Sequence, residues 1–148
     1  MATEGRRRHP VGLFDARAKA VFVAAQRDAE RREGKVLVSG LMLYAAANAG
    51  DQFSTALLAL IDADLDTLSA AVDAEWNARS KWLQDQPFTL LNEAFEAVAA
   101  TAQPDAQLKL SALLAEILGH PDSMATRIVR RVGGDPKRVA EALRRTSE

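Results

Sequence analysis

"QPFTLLNEAFEAVAA" at residues 86–100 restates in outline an earlier stretch, "GLFDARAKAVFVAAQ" at residues 12–26. Each sets a Phe (Phe14, Phe88) and then a helix-capping residue (Asp15, Thr89) ahead of a run of Ala, Val and Phe. The first run places Phe14, Ala18, Val21, Phe22 and Ala25 at helical spacing, and the second does the same with Leu91, Phe95, Val98 and Ala102. Working outward, Phe53, Ala56, Leu57, Leu60 and Ile61 fill the template, which predicts that they share one helix face. Ala125, Ile128, Val129 and Val132 repeat it near the C-terminus. No stretch alternates with a period of two between hairpin turns, so the expected fold class is all-α.

The punctuation agrees with the periods. Ser39, Asp64, Thr89, Ser111 and Asp135 each stand just ahead of an apolar-periodic segment, where a side-chain oxygen can accept an orphan helix N–H. In "VGGDPKRV", residues 132–139, a glycine can end one helix, Asp135 can cap the next, and Pro136 suits its first turn. These signals predict eight helices, at about 15–32, 39–49, 52–62, 65–79, 89–102, 111–119, 122–132 and 136–146.

The doubling extends through the set. Phe14 and Phe88 are 74 residues apart, "VLVS" at 36–39 and "LKLS" at 108–111 are 72 apart, and Asp64 and Asp135 are 71 apart. Short loop deletions produce such a drift. The expected organisation is two tandem four-helix repeats related by a pseudo-twofold. Repeat one is read as 12–79, a linker as 80–86 and repeat two as 87–148, behind a flexible basic tail at 1–11. Trp76 and Trp82 bracket the join and are expected to stitch the halves together, because aromatic rings bury large areas at low entropic cost.

Composition bounds the function. The chain has 148 residues, 48% of them hydrophobic and 26% charged, with a net charge of −1. That profile fits one soluble domain, and near-neutrality argues against a general nucleic-acid binder. No cysteine is present, which excludes disulfides and thiolate metal sites and fits the cytoplasm. The longest uncharged run, residues 36–50, falls short of the roughly 20 apolar residues a membrane span needs. His9 and His120 are too few for a metal site of recognisable spacing. No P-loop, no G-x-S-x-G and no carboxylate pair fit for acid–base work stands out, so neither a cofactor nor an enzymatic activity is expected.

Two four-helix units, each opening with Phe and a polar residue before a long helix, resemble the double Clp repeat. This is the N-terminal domain of ClpA- and ClpC-type chaperone ATPases. The resemblance is carried by "LFDARAKAVFVAAQRDAERR" at 13–32, "PFTLLNEAFEAVAA" at 87–100 and "STALLALIDADLDTLSAAV" at 54–72. It implies a compact helical module that recruits substrates or adaptor proteins to an unfolding motor, here without the ATPase modules. Its partners would be Clp ATPase or protease components, adaptors or substrates, and also cyclic peptide natural products. It implies no membrane or nucleic-acid partner.

By the same resemblance, peptides and cyclic peptides enter near Phe14 and Phe88, with Thr89 and Lys19 beside them as binding residues. One departure stands out. In many relatives the second helix of each repeat starts Gly-Thr-Glu-His, and in the ClpC-type branch those glutamates hold phosphorylated arginine. This chain has Gly40 and Ala112 there, with no carboxylate to meet a guanidinium, so phosphoarginine binding is not expected. The leading expectation is therefore a stand-alone Clp N-domain-like adaptor or decoy. The alternatives are a sensor that sequesters a small cyclic peptide, and an N-terminal fragment of a longer Clp ATPase.

Two further features have ordinary readings. "HPD" at 120–122 matches the J-domain tripeptide, but its preceding helix is apolar rather than basic, so an interhelical loop is expected. Arg127, Arg130, Arg131, Lys137, Arg138, Arg144 and Arg145 make the C-terminal part basic. A solvated surface is the default for them, and a patch for an acidic adaptor or substrate the alternative.

Overall fold

A computed structural model describes residues 14–32, 39–78, 86–101, 108–121 and 123–145, with the side chains of α5 described over 93–100. Eight helices follow in chain order: α1 (Ala16–Arg31), α2 (Ser39–Ala47), α3 (Gln52–Ile61), α4 (Leu65–Asn77), α5 (Gln86–Thr101), α6 (Leu110–Leu118), α7 (Met124–Arg131) and α8 (Pro136–Arg144). Among the described residues there is no strand, and one isolated parallel bridge joins Phe14 to Leu108. The basic tail, Trp82, Ala102 and Asp122 lie outside the described residues. No described helix is long and apolar enough to cross a membrane.

The helix starts follow from local chemistry at most positions. Asp15, Asp51, Asp64, Ser123 and Asp135 each accept a backbone N–H of the first turn they precede. Pro136 occupies the first turn of α8, where its missing N–H costs nothing. Three expected caps are corrected. α5 starts at Gln86 and takes Pro87 into its first turn, so Thr89 sits inside the helix. The cap position of α6 is Lys109, which makes no side-chain cap bond, and Ser111 lies within the helix. Ser39 is the first residue of α2, and its Oγ accepts the N–H of Ala125 in α7 at 3.1 Å, relieving an orphan donor of a distant helix.

Two helices form the centre. α2 buries Leu41, Met42, Leu43, Ala45, Ala46 and Ala47, and is apolar nearly all round because it is enclosed nearly all round. It meets α1, α3, α4, α5 and α7. α6 buries Leu110, Leu113, Leu114, Ala115, Ile117 and Leu118 and meets α5, α7 and α8. α4 lies on α7, and α3 on α8. The inward face of α3 is Phe53, Ser54, Leu57 and Ile61; Ala56 and Leu60, expected there, are exposed. Ser54 takes the inner place because its hydroxyl donates to the carbonyl of Ala46 at 2.7 Å.

Polar ties hold the ends of the long helices. Asp28, buried near the end of α1, accepts from Arg31 and Arg32 at 3.1 and 2.9 Å. Arg32 also reaches Asp73 of α4 at 2.9 Å and lies over the Trp76 ring at 5.8 Å. Trp76 is buried and packs α4 inward. Glu75, on the same helix, is buried and accepts from Nε and Nη2 of Arg131 on α7 at 3.1 and 2.8 Å, while its other oxygen has no protein partner. Removing the arginine leaves an enclosed carboxylate uncompensated. Because the Arg131 side chain is 46% exposed, water can repair part of the loss. Arg131→Met is expected to cost about 1–2 kcal/mol, below the fully buried case. Urea denaturation measures it, and an unchanged midpoint would show the pair to be inert.

Candidate functional site

The expected site gathers around the starts of α1 and α5. Asp15 caps α1 by accepting the Ala18 N–H at 3.0 Å. Its own N–H donates to the Leu108 carbonyl at 3.0 Å, and Lys109 stands 3.6 Å from its carboxylate. The strand-like contact thus pins the start of α1 to the segment that leads into α6. Lys19, one turn further, is exposed on α1, where a ligand can reach it.

Phe14 is placed differently from an open binding wall. It is fully buried, 5.4 Å from Phe22 and 5.9 Å from Phe95 between ring centroids, in edge-to-face contacts. Phe22 and Phe95 close the triangle at 5.4 Å. Three rings from the start of α1, its middle and α5 therefore make one cluster, in the geometry that aromatic quadrupoles favour. The backbone of Phe88 and Thr89 belongs to the first turns of α5, and their side chains lie outside those described. The structure thus packs Phe14 against Phe95 of α5 as an internal support and leaves Lys19 exposed on α1.

Gly40 has a physical reason to be glycine. It is buried in α2, and a Cβ added there would stand 2.6 Å from Cγ and Sδ of Met124 and 2.7 Å from Cδ1 of Ile128. α2 and α7 cross at this point with no room for any side chain. Ala112 in α6 is half-buried. Gly40 and Ala112, which share a position in the expected repeats, are thus unequal: one is closed by packing and the other is partly open.

The 120–121 segment is a turn between α6 and α7, held by Thr126, whose Oγ1 donates to the His120 carbonyl at 2.7 Å. Among the described residues no group of three or more His, Asp or Glu is placed to hold a metal ion.

A groove of about 320 Å³ runs between α1 and α2, with Arg17 and Asp51 at one end and Asp28 and Arg31 at the other. Tyr44 and Asn48 line it. Arg17 sits 3.3 Å from Asp51 and 5.7 Å from the Phe53 ring centre. The Ser54 N–H holds the Asp51 carboxyl below its ordinary range; burial opposes this, and the Ser54 hydroxyl and Arg17 add to it. The Thr67 N–H acts likewise on Asp64. A depressed folded value means that the unfolded chain binds more protons in acid. Stability from these caps is present above the unfolded carboxylate value of about 3.9 and fades as pH falls through the folded one. Asp51→Ala is expected to cost about 1 kcal/mol at pH 7. The difference between its melting curve and that of the unaltered chain should shrink as pH falls below the ordinary carboxylate value of about 3.9. A constant difference across pH would refute the charge-dependent part.

Comparison with protein-family models, with curated proteins and with solved structures finds no match. The reading of this site accordingly rests on its residues. Sequence reasoning missed a second concave surface, between α3 and α8, whose lining comes from helix ends and a turn rather than from any motif.

Proposed function

We propose that this chain is a binding module with the tandem-repeat plan of Clp N-terminal domains, taking up peptides, adaptors or substrates of the Clp proteolytic system. The observation that supports the reading is a partial match in the wiring of the two halves, which breaks where α2 also packs on α7 and α5 with no comparable packing of α6 on α3 or α1 among the described residues. α1 packs on α2 as α5 packs on α6; α2 touches α3 and α4 as α6 touches α7 and α8; and α4 meets α7 as α8 meets α3. Hydroxyl residues also stand at the same interval: Ser54 donates to the Ala46 carbonyl at 2.7 Å, and Thr126, 72 residues later, lies 3.5 Å from the Leu118 carbonyl while its proton goes to the His120 carbonyl at 2.7 Å. Amphipathic spacing alone does not require these shared neighbours.

In this reading the end of the molecule at α1 and α5 receives the ligand. Phe14, Phe22 and Phe95 stiffen its floor, Lys19 offers a cation beside it, and Phe88 and Thr89 stand on the facing helix. A free module that binds the ligands of a motor lowers their free concentration by mass action, so it acts as a decoy. If it also docks on a motor encoded elsewhere, it acts as an adaptor. Because Gly40 is closed by packing and Ala112 is uncharged, phosphoarginine is not its ligand.

Calorimetric titration tests this with a Clp-targeting cyclic peptide, an unfolded model protein and a phosphoarginine peptide, each against the chain and Phe88→Ala. The expected result is binding of the cyclic peptide or the unfolded protein, weakened about tenfold or more in Phe88→Ala. Silence toward all three, or binding indifferent to Phe88, would overturn the reading.

A further inference from the structure

The surface between α3 and α8 is built differently from the α1–α5 end. α3 stops at Ile61, and Asp62 takes a left-handed conformation (φ 63) that closes the helix through its N–H to Leu58 and Ala59. The α7–α8 turn comes up against this end. Gly134 makes the approach possible: a Cβ there would meet Cγ1 of Val129 at 2.8 Å and the Ile61 carbonyl at 3.1 Å. α8 then runs along the other side. The result is a groove of about 500 Å³ lined by Ala59, Leu60, Asp62, Asp135, Arg138 and Arg145, among others.

Three observations give the groove a chemistry. Arg138 and Arg145 lie seven residues apart on α8, hence on one face and about 10 Å apart along the axis. Neither pairs with a carboxylate among the described residues, although Asp62 and Asp135 line the same groove. Their neighbours behave otherwise: Arg144 reaches Glu116 at 3.6 Å and Arg131 reaches Glu75 at 2.8 Å. Ala59, Leu60 and Ala142 line the groove along with the two arginines, and Leu60 is one of two large hydrophobic residues that the described core leaves exposed, at 38%.

We infer that this groove docks an acidic partner segment carrying two carboxylates about 10 Å apart with an apolar side chain between them. In a polyproline II segment, with three residues per turn and a rise of about 3.1 Å, residues i and i+3 share one face at close to that spacing. The carboxylates meet the Arg138 and Arg145 guanidiniums, whose planar forks donate to such oxygens two at a time. The apolar side chain covers Leu60 and Ala59. The two aspartates favour this occupant over a nucleic acid, because a continuous polyanion would lie against both of them, whereas two discrete carboxylates need not. The groove is separate from the α1–α5 end, so the inference does not depend on the Clp reading.

The test uses the fluorescein-labelled peptide Gly-Ala-Glu-Leu-Ala-Glu-Ala-Gly, its twin with both Glu replaced by Gln, and a labelled oligothymidylate, read by anisotropy. The expected result is saturable binding of the acidic peptide that weakens with added salt. The Gln twin and the Arg138→Glu/Arg145→Glu variant should each bind about tenfold more weakly or worse. Arg130→Glu/Lys137→Glu makes the same change in net charge outside the groove and should leave binding intact, and thermal melting confirms that both variants are folded. Equal weakening by the two variants, equal binding of the Gln twin, no binding of the acidic peptide, or tighter binding of the oligonucleotide would each overturn the proposal.

Discussion

Gly40→Glu is expected to leave the chain largely unfolded at ambient temperature. The Cβ alone would lie 2.6 Å from two atoms of Met124, which is itself fully buried, and 2.7 Å from Ile128. Cγ of Met124 is not the free end of a side chain, so it cannot swing clear without moving its sulfur into neighbouring core atoms. Overpacking of this kind costs about 1–3 kcal/mol. The carboxylate would then have to be enclosed between α2 and α7, where no described cation faces it. Together these exceed about 4 kcal/mol, most of the stability an ordinary domain has. Gly40→Ala isolates the first contribution, and its gain in helix propensity of up to about 1 kcal/mol offsets part of the clash. Ala112→Glu is the informative contrast. The site is half-buried, so the longer side chain can direct its charge to water, and the variant should remain folded. Circular dichroism and urea denaturation of all three decide the matter. A stable Gly40→Glu would mean that α2 and α7 are not in the contact described.

That contrast marks where the sequence was legible. Periodicity placed all eight helices with ends within a few residues, because amphipathic spacing and Asp caps act within one turn. Asp64 and Asp135 cap where local reasoning put them. Ser39 and Ser111 were misread for the same reason that the others succeeded. Ser39 serves a helix 86 residues away, a pairing that no local window contains. Ser111 lies within α6, whose start at Leu110 local signals did not mark. Leu60 and Ala56 satisfied the helical template of α3 yet face outward, because Ser54 takes the inward position once Ala46 offers its carbonyl. Gly40 was legible only as a missing carboxylate. Its actual demand, a helix crossing too close for any side chain, appears only when α7 is in place. The α3–α8 groove was invisible for a related reason: Leu60, Arg138 and Arg145 share no motif and meet only through the fold.

Phe14→Ala carries the second large effect and separates two roles for this residue. As a ligand contact, Phe14 would lose its ring with little change in stability and much in binding. As the centre of an aromatic triangle it should do the reverse. The structure places it with no exposure at all, against Phe22 and Phe95, and just before Asp15, the cap that ties α1 to Leu108. Loss of a buried ring to Ala costs about 3–5 kcal/mol, because the cavity collapses only in part. The low end of that range requires α1 and α5 to close over the gap, which the bridge to Leu108 resists. Phe14→Leu keeps most of the volume, but it loses the edge-to-face contacts, worth about 0.5–1.5 kcal/mol. The double variant Phe14→Ala/Phe95→Ala should cost less than the sum of its parts, since the two rings share one contact. Denaturation of the unaltered chain, Phe14→Ala, Phe95→Ala and the double variant gives the coupling directly. Additive losses would place the rings in separate environments, and an unperturbed midpoint for Phe14→Ala would return the residue to the binding wall. If the coupling is found, any ligand that enters between α1 and α5 rests on a rigid aromatic floor. Its specificity must then come from side chains other than the buried rings, such as the exposed Lys19 on α1, which can be altered without dismantling the domain.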